Sequence, residues 1–228
     1  MKKIVIGVCV LGFSAWVVPK IFKLGDAPSS LKILKRGNGA EVQSLDPHKT
    51  SGVPEANITL DQLEGLLSTA ADGQNVPGVA QSWEVSPDGK IYTFFLRQDA
   101  KWSNGDPVTA HDFVYAWQRM VNPLTASSWT YIIQPVKNAK EISKGEKPIT
   151  ELGIKADGDY KLIVELNSPT PYFLSLAAHS CMVPLHKKTV ESSPDKWMRP
   201  GSMVGNGAFV LDEWIPQSHV KLKKNPHY

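Results

Sequence analysis

The 228 residues suffice for one large domain or two small ones with real cores, and a hydrophobic content of 42% is that of an ordinary globular protein. The formal net charge of +3 comes from the start of the chain: Lys2, Lys3, Lys20 and Lys23 stand there with no acid before residue 25, leaving 21 basic against 22 acidic residues in the remainder. A near-neutral remainder without a basic stripe excludes a nucleic-acid surface.

Residues 1–24 read as a separate segment. A basic start precedes a charge-free apolar run, Ile4 to Val18, which has the form of an export signal and is short for a membrane span. No clean small-x-small cleavage site follows, so contact with a membrane is expected only through this segment if it stays uncleaved. Cys9 lies inside it. Cys181 is then the only cysteine of the remainder; it has no partner for an intramolecular disulfide and is expected to be buried.

Leu31 to Arg36 reads as a short strand. The stretch "SLDPHKTSGVPEANI", Ser44 to Ile58, follows; its two prolines and glycine argue against helix or central strand. Asn57 is placed to cap a helix from about Ile58, with Leu63, Leu66, Leu67 and Ala70 on one face. A hairpin is predicted from Gln81 to Leu96 about the turn Ser86-Pro87-Asp88-Gly89. Its second strand is apolar on both faces, which predicts cover on both sides. Thr109 and Asp112 have the spacing of a capping box. The helix behind them carries Phe113, Ala116, Trp117 and Met120 at helical spacing and ends at Asn122-Pro123. Further hairpins are predicted from Ile154 to Leu166, turning at Asp157-Gly158-Asp159, and from Gly207 to Lys224, turning at Ile215 to Ser218. Hairpins interleaved with helices argue for a mixed α/β or α+β fold.

The chemistry-bearing residues are sparse. His179 and His186 flank Cys181, but Pro184 breaks any helix that would align them, and no metal-ligand spacing occurs. A Cys181 nucleophile paired with His179 or His186 is weighed against a buried inert thiol, and the apolar neighbours Met182-Val183-Pro184-Leu185 favour the latter. No phosphate-binding loop or nucleophile elbow is present. Lys137, Lys140, Lys144 and Lys147, interrupted by Glu141 and Glu146, read as a solvated surface. No cofactor, metal or catalytic residue is therefore assigned.

The segment "PGVAQSWEVSPDGKIYTFFLRQDAKWSNGDPVTAHDFVYAWQRM", Pro77 to Met120, resembles the signature of the extracellular solute-binding proteins of peptide ABC transporters, in their oligopeptide-binding branch. "EVQSLDPHKTSGVPEANI", "PYFLSLAAHSCMVP" and "VGNGAFVLDEWIPQSHVKLKKNPHY" extend the likeness to nearly everything after about residue 30. The resemblance implies a mixed α/β, periplasmic-binding-protein-like fold of which this chain holds the N-terminal portion. Residues 25–63 and 189–228 would form an incomplete lobe I, and residues 64–188 a smaller α/β domain.

The same resemblance implies a function: capture of short peptides in the periplasm for the membrane subunits of an ABC importer. In the family an extended peptide pairs with protein backbone at the positions of Ser51, Gly52 and Val53, a form of β-augmentation. Members often carry an acid at position 51, where this chain has Ser. Trp129 aligns with an aromatic that lines the side-chain pockets. A single lobe offers half of a clamp, so binding is expected to be weakened. The alternative is a non-binding fragment or an interaction module that docks a separate C-terminal half or a transporter subunit.

Overall fold

A computed structural model describes residues 32–50 and 52–228. The segment 1–24 and Leu31 lie outside the described residues. Residues 32–37 group apart from a compact unit of residues 38–228. They form no strand, and Ile33 and Leu34 are exposed. The strand expected there is thus not formed over its described part: an extended run becomes a strand only when a neighbouring edge takes up its backbone groups, and none pairs with it among the described residues.

In the compact unit the elements run α1 (Val53–Gln62), β1 (Leu67–Thr69), β2 (Asn75–Pro77), β3 (Ala80–Val85), β4 (Ile91–Leu96), α2 (Ala110–Val121), α3 (Thr130–Ile133), α4 (Ala139–Ser143), β5 (Ile154–Ala156), β6 (Lys161–Glu165), α5 (Phe173–Ala177), α6 (Lys187–Ser192), β7 (Phe209–Ile215) and β8 (His219–Lys224). β3, β4, β6 and β5 form one antiparallel sheet in that order, while β1–β2 and β7–β8 are two-stranded. The fold is mixed α/β, and the three predicted hairpins are present. Gly89 takes φ +68° at the first turn, the left-handed conformation its lack of a Cβ permits.

α2 lies against the four-stranded sheet. Phe113, Ala116, Trp117 and Met120 are all fully buried, as their spacing predicts. The Thr109 N–H donates to Asp112 Oδ2 at 2.8 Å, and Asp112 also accepts the Trp102 indole N–H at 3.3 Å, so the capping box ties the helix start to the core. On β4 only Tyr92, Phe94 and Leu96 are buried; Ile91 is exposed and Thr93 and Phe95 half-buried. The expectation of cover on both sides is corrected. An antiparallel sheet needs one packed face, and here the second stays partly in solvent.

The first helix also differs from the expected one. Val53 opens α1, because Pro54 sits in its first turn, where a fixed φ and a missing N–H cost nothing. The end of the Ser44–Ile58 stretch, from Val53 on, is therefore helical, and Asn57 is inside the helix, its Nδ2 bonded to Asn38 Oδ1 at 3.3 Å. Beyond Leu63 the chain is extended. Leu66 and Leu67 bury themselves from β1 and the turn before it, where the Gly78 and Ala80 N–H groups donate to the Leu66 carbonyl. Pairing with the chain at 78–80, rather than a helix, satisfies the spacing of the leucines.

Two apolar clusters result. The larger one runs from Leu63 to Trp197 and contains α2 and the four-stranded sheet. The smaller one holds Val42, Leu45, Ile58 and Leu211, with Met198, Met203, Trp214, Val220 and Leu222 packed against it. Polar crossings join them. The Gly207 N–H donates to the Gln62 carbonyl at 2.8 Å, and the Asn206 side chain holds both the N–H and the carbonyl of Glu64.

Candidate functional site

Of the predicted peptide-facing segment, Ser51 lies outside the described residues. Gly52 is extended, with φ −106° and ψ 155°, and Val53 is the first residue of α1. The Gly52 carbonyl accepts the Ala56 N–H at 3.1 Å, which opens the helix. The N–H groups of a helix's first turn have no intrahelical acceptor, and that of Val53 is one of them. The Val53 side chain is 73% exposed. Val53 thus offers a backbone donor at an exposed residue, and Pro54 behind it has none.

Gly52 has a reason of its own inside the chain. A Cβ there would run into the Glu55 carboxylate and the Pro54 ring. Glu55 is buried in the first turn of α1, where the positive end of the helix dipole favours an acid, and its Oε1 accepts the Gln43 N–H at 3.0 Å. The glycine lets the carboxylate fold back over the helix start.

The loop in front of this segment is organised by Asp46. Its backbone carbonyl accepts the Lys49 and Thr50 N–H groups at 2.9 and 3.2 Å, and its Oδ1 accepts the His48 N–H at 3.1 Å. From α2, Arg119 donates to both carboxylate oxygens, at 3.0 Å to Oδ1 and 2.6 Å to Oδ2. Its Nη1 also lies 2.8 Å from His48 Nδ1. Asp46 and His48 are fully buried. Burial alone would raise the Asp46 carboxyl, but the hydrogen bonds and charge of Arg119 outweigh it and hold the group below the usual carboxylate range. Burial first, and the Arg119 charge second, push the His48 imidazole down to about 3. At neutral pH the cluster is a carboxylate, a guanidinium and a neutral imidazole. No sequence signal pointed to it, since Asp46 and Arg119 stand 73 residues apart.

Trp129 precedes α3 and is half-buried. Its ring packs on His179, with centroids 4.8 Å apart, and on Tyr131 at 5.8 Å. Its Nε1 is buried and has no hydrogen-bond partner among the described residues. His179 continues inward to Cys181: its Nδ1 lies 3.1 Å from the thiol and accepts the Cys181 backbone N–H at 3.3 Å. Burial pushes the buried Cys181 thiol up to about 12, so it stays protonated at neutral pH and lacks the nucleophilic form. His186 is engaged elsewhere, with Asp106 Oδ2 at 3.0 Å and Thr189 Oγ1 at 2.7 Å. Lys137 and Lys147 form exposed ion pairs with Glu165 and Glu151. Among the described residues no helix is long and apolar enough to cross a membrane. A shallow cavity of about 260 Å³ lies at the far end of α1, lined by Leu60, Leu63, Leu67, Ala178 and Tyr228.

The described residues thus form an antiparallel sheet packed on α2, joined by polar crossings to a smaller cluster that carries an exposed helix start. Comparison with known proteins identifies the family. The family described as bacterial extracellular solute-binding proteins, family 5 Middle, matches residues 74–228, and the chain belongs to that family. It is 50% identical over 197 residues to the periplasmic oligopeptide-binding protein OppA of Escherichia coli, which covers 86% of this chain and 36% of that protein. The periplasmic murein peptide-binding protein MppA of Escherichia coli is 42% identical over 190 residues, covering 82% of this chain and 35% of that protein. Among solved structures, Haemophilus influenzae OppA in complex with the peptide RPPGFSPFR superimposes with a TM-score of 0.81 at 48% identity, over 84% of this chain and 38% of that one. The fold is therefore that of the periplasmic peptide-binding proteins, and the chain spans little more than a third of the length of these relatives.

Proposed function

We propose that this chain contacts short peptides in the periplasm, on behalf of an ABC importer, through backbone pairing at Ser51, Gly52 and Val53. The single observation that carries this reading is the likeness, at 48% identity, to a solved relative in complex with the peptide RPPGFSPFR. The exposed Val53 at the helix start supports it, because pairing through backbone groups binds without regard to side chains. Trp129 is assigned as a flat wall for a peptide side chain, its half-buried ring packed on His179 and Tyr131. Residues 25–63 and 189–228 are assigned to one lobe and 64–188 to a smaller domain; the smaller apolar cluster lies wholly within the first, while the larger one also takes in Leu63, Val190 and Trp197. The role is binding, without a chemical step, and export is assigned to residues 1–24.

One lobe leaves the peptide solvated on its other side, so binding by this chain is weak. Titration calorimetry with trilysine tests the reading. Measurable heat that saturates at millimolar peptide is the expected result, and its absence would reject independent binding.

A second reading has its own support. β7 and β8 form a two-stranded sheet with Phe209 and Ile215 exposed. Open edges and apolar side chains suit docking of a separate polypeptide, a C-terminal half or a transporter subunit. Isolation of the chain as a monodisperse monomer would count against it.

A further inference from the structure

We propose that Arg119 is a positioning residue: from α2 it sets the backbone of Gly52 and Val53 at the start of α1 by fixing the loop of residues 44–50. The ligand part of this inference rests on the peptide reading given above; the positioning part does not.

The loop has no regular structure, and its internal bonds converge on one residue. The Asp46 N–H donates to Ser44 Oγ at 3.1 Å, and three following N–H groups, of His48, Lys49 and Thr50, donate to Asp46. Asp46 therefore fixes the shape of the loop, while Arg119 fixes where that shape sits. The fork of the guanidinium engages both carboxylate oxygens and reaches His48 as well, which defines orientation and not only distance. A lysine would supply a point charge without the fork. Thr50 is buried, and the chain just before the loop is tied to the same helix start: the Gln43 N–H donates to Glu55 Oε1 at 3.0 Å, and Asn38 Nδ2 donates to the Pro54 carbonyl at 3.0 Å. A shift of the loop therefore reaches the start of α1 through these bonds.

A purely stabilising contact at this place would be met as well by apolar side chains of similar volume, since a buried ion pair offsets its own desolvation poorly. What the pair supplies is one defined geometry for a loop whose only apolar residue in the smaller cluster is Leu45.

The test is hydrogen exchange by mass spectrometry on the whole chain, comparing the parent with Arg119→Met, Arg119→Lys and Asp46→Asn. In Arg119→Met the hydrogen-bonded amides of His48, Lys49, Thr50 and Ala56, the last bonded to the Gly52 carbonyl, are expected to exchange at least ~tenfold faster, with those of β4 unchanged within about twofold. Arg119→Lys should restore little of the protection. Unchanged exchange at these four amides would overturn the proposal. So would an equal rise in β4, which means general stability and no positioning. If Arg119→Met does not fold, Asp46→Asn, which keeps the shape of the loop, decides by the same pattern. Trilysine titration then separates the two layers. Weakening by about tenfold in a variant whose loop is loosened supports the link to binding, and unchanged affinity breaks it. A parent chain that gives no heat rejects the peptide reading alone, because the exchange pattern judges Arg119 without any ligand.

Discussion

The region around α2 and the four-stranded sheet is held by an apolar interior, whereas the region around α1 and β7–β8 is held largely by polar crossings. The first cluster includes Trp102, Trp117, Phe94, Phe113 and Phe173, all fully buried. The second contains four buried apolar residues. The candidate ligand segment belongs to the second. A segment that must meet a ligand cannot also be buried, so its geometry has to come from a neighbour, and the Asp46–Arg119 pair is how the neighbour supplies it. Local stability is not uniform in such a fold, and the site is drawn from its weaker end.

Three changes would break or sharpen that contrast. The largest effect is expected from Trp117→Ala, which removes a fully buried indole whose N–H donates to the Met182 carbonyl at 3.0 Å. A loss of about 3–5 kcal/mol should follow, read as a lowered urea midpoint. A loss below about 1 kcal/mol would show that the larger cluster is not the main source of stability.

Acid should act on the other region. The His48 imidazole is held near 3 in the fold, against an ordinary value of about 6.5. Below the ordinary value the unfolded chain takes up a proton that the folded one resists, so stability falls as pH drops from about 6.5 toward 3. Asp46, held low, has the same sign: its contribution is present above the ordinary carboxylate value and lost as pH falls through the folded one. Asp112 has the opposite sign, because burial raises it and acid relieves that cost. The loop of residues 44–50 should therefore loosen in acid before α2 does. Urea midpoints at pH 7 and pH 4 for the parent and His48→Asn check this, with a flatter pH dependence expected in the variant.

The smallest effect is expected from Thr109→Ala at the start of α2. Loss of the cap side chain should cost about 1 kcal/mol, because the Thr109 backbone N–H still reaches Asp112. Thermal melting measures it, and a loss as large as that of Trp117→Ala would place the capping box among the main supports of the fold.

Features written in adjacent residues were legible. The turn Ser86 to Gly89, the Thr109–Asp112 box and the helical spacing from Phe113 to Met120 depend on neighbours within one or two turns, and the structure has each of them. The leucines from 63 to 67 misled because apolar spacing reports burial without saying which backbone shape delivers it. Of the candidate site, Gly52, Val53 and Trp129 were named through a family likeness, while the physical roles of Glu55 and Arg119 were not legible at all. The Glu55 carboxylate fills the space that a Cβ at position 52 would need, and Arg119 acts through a carboxylate far away in the chain.

By itself the sequence determined the hairpins, the capping box of α2, the apolar face of that helix and the family, because each rests on short-range sterics or on a long run of specific residues. Only the tertiary structure decided where α1 begins in use, which face of β4 is covered, and that the loop before residue 52 is anchored from α2. Those outcomes depend on contacts between residues many positions apart, and burial of the Asp46 charge becomes tolerable only when the fold brings Arg119 to it.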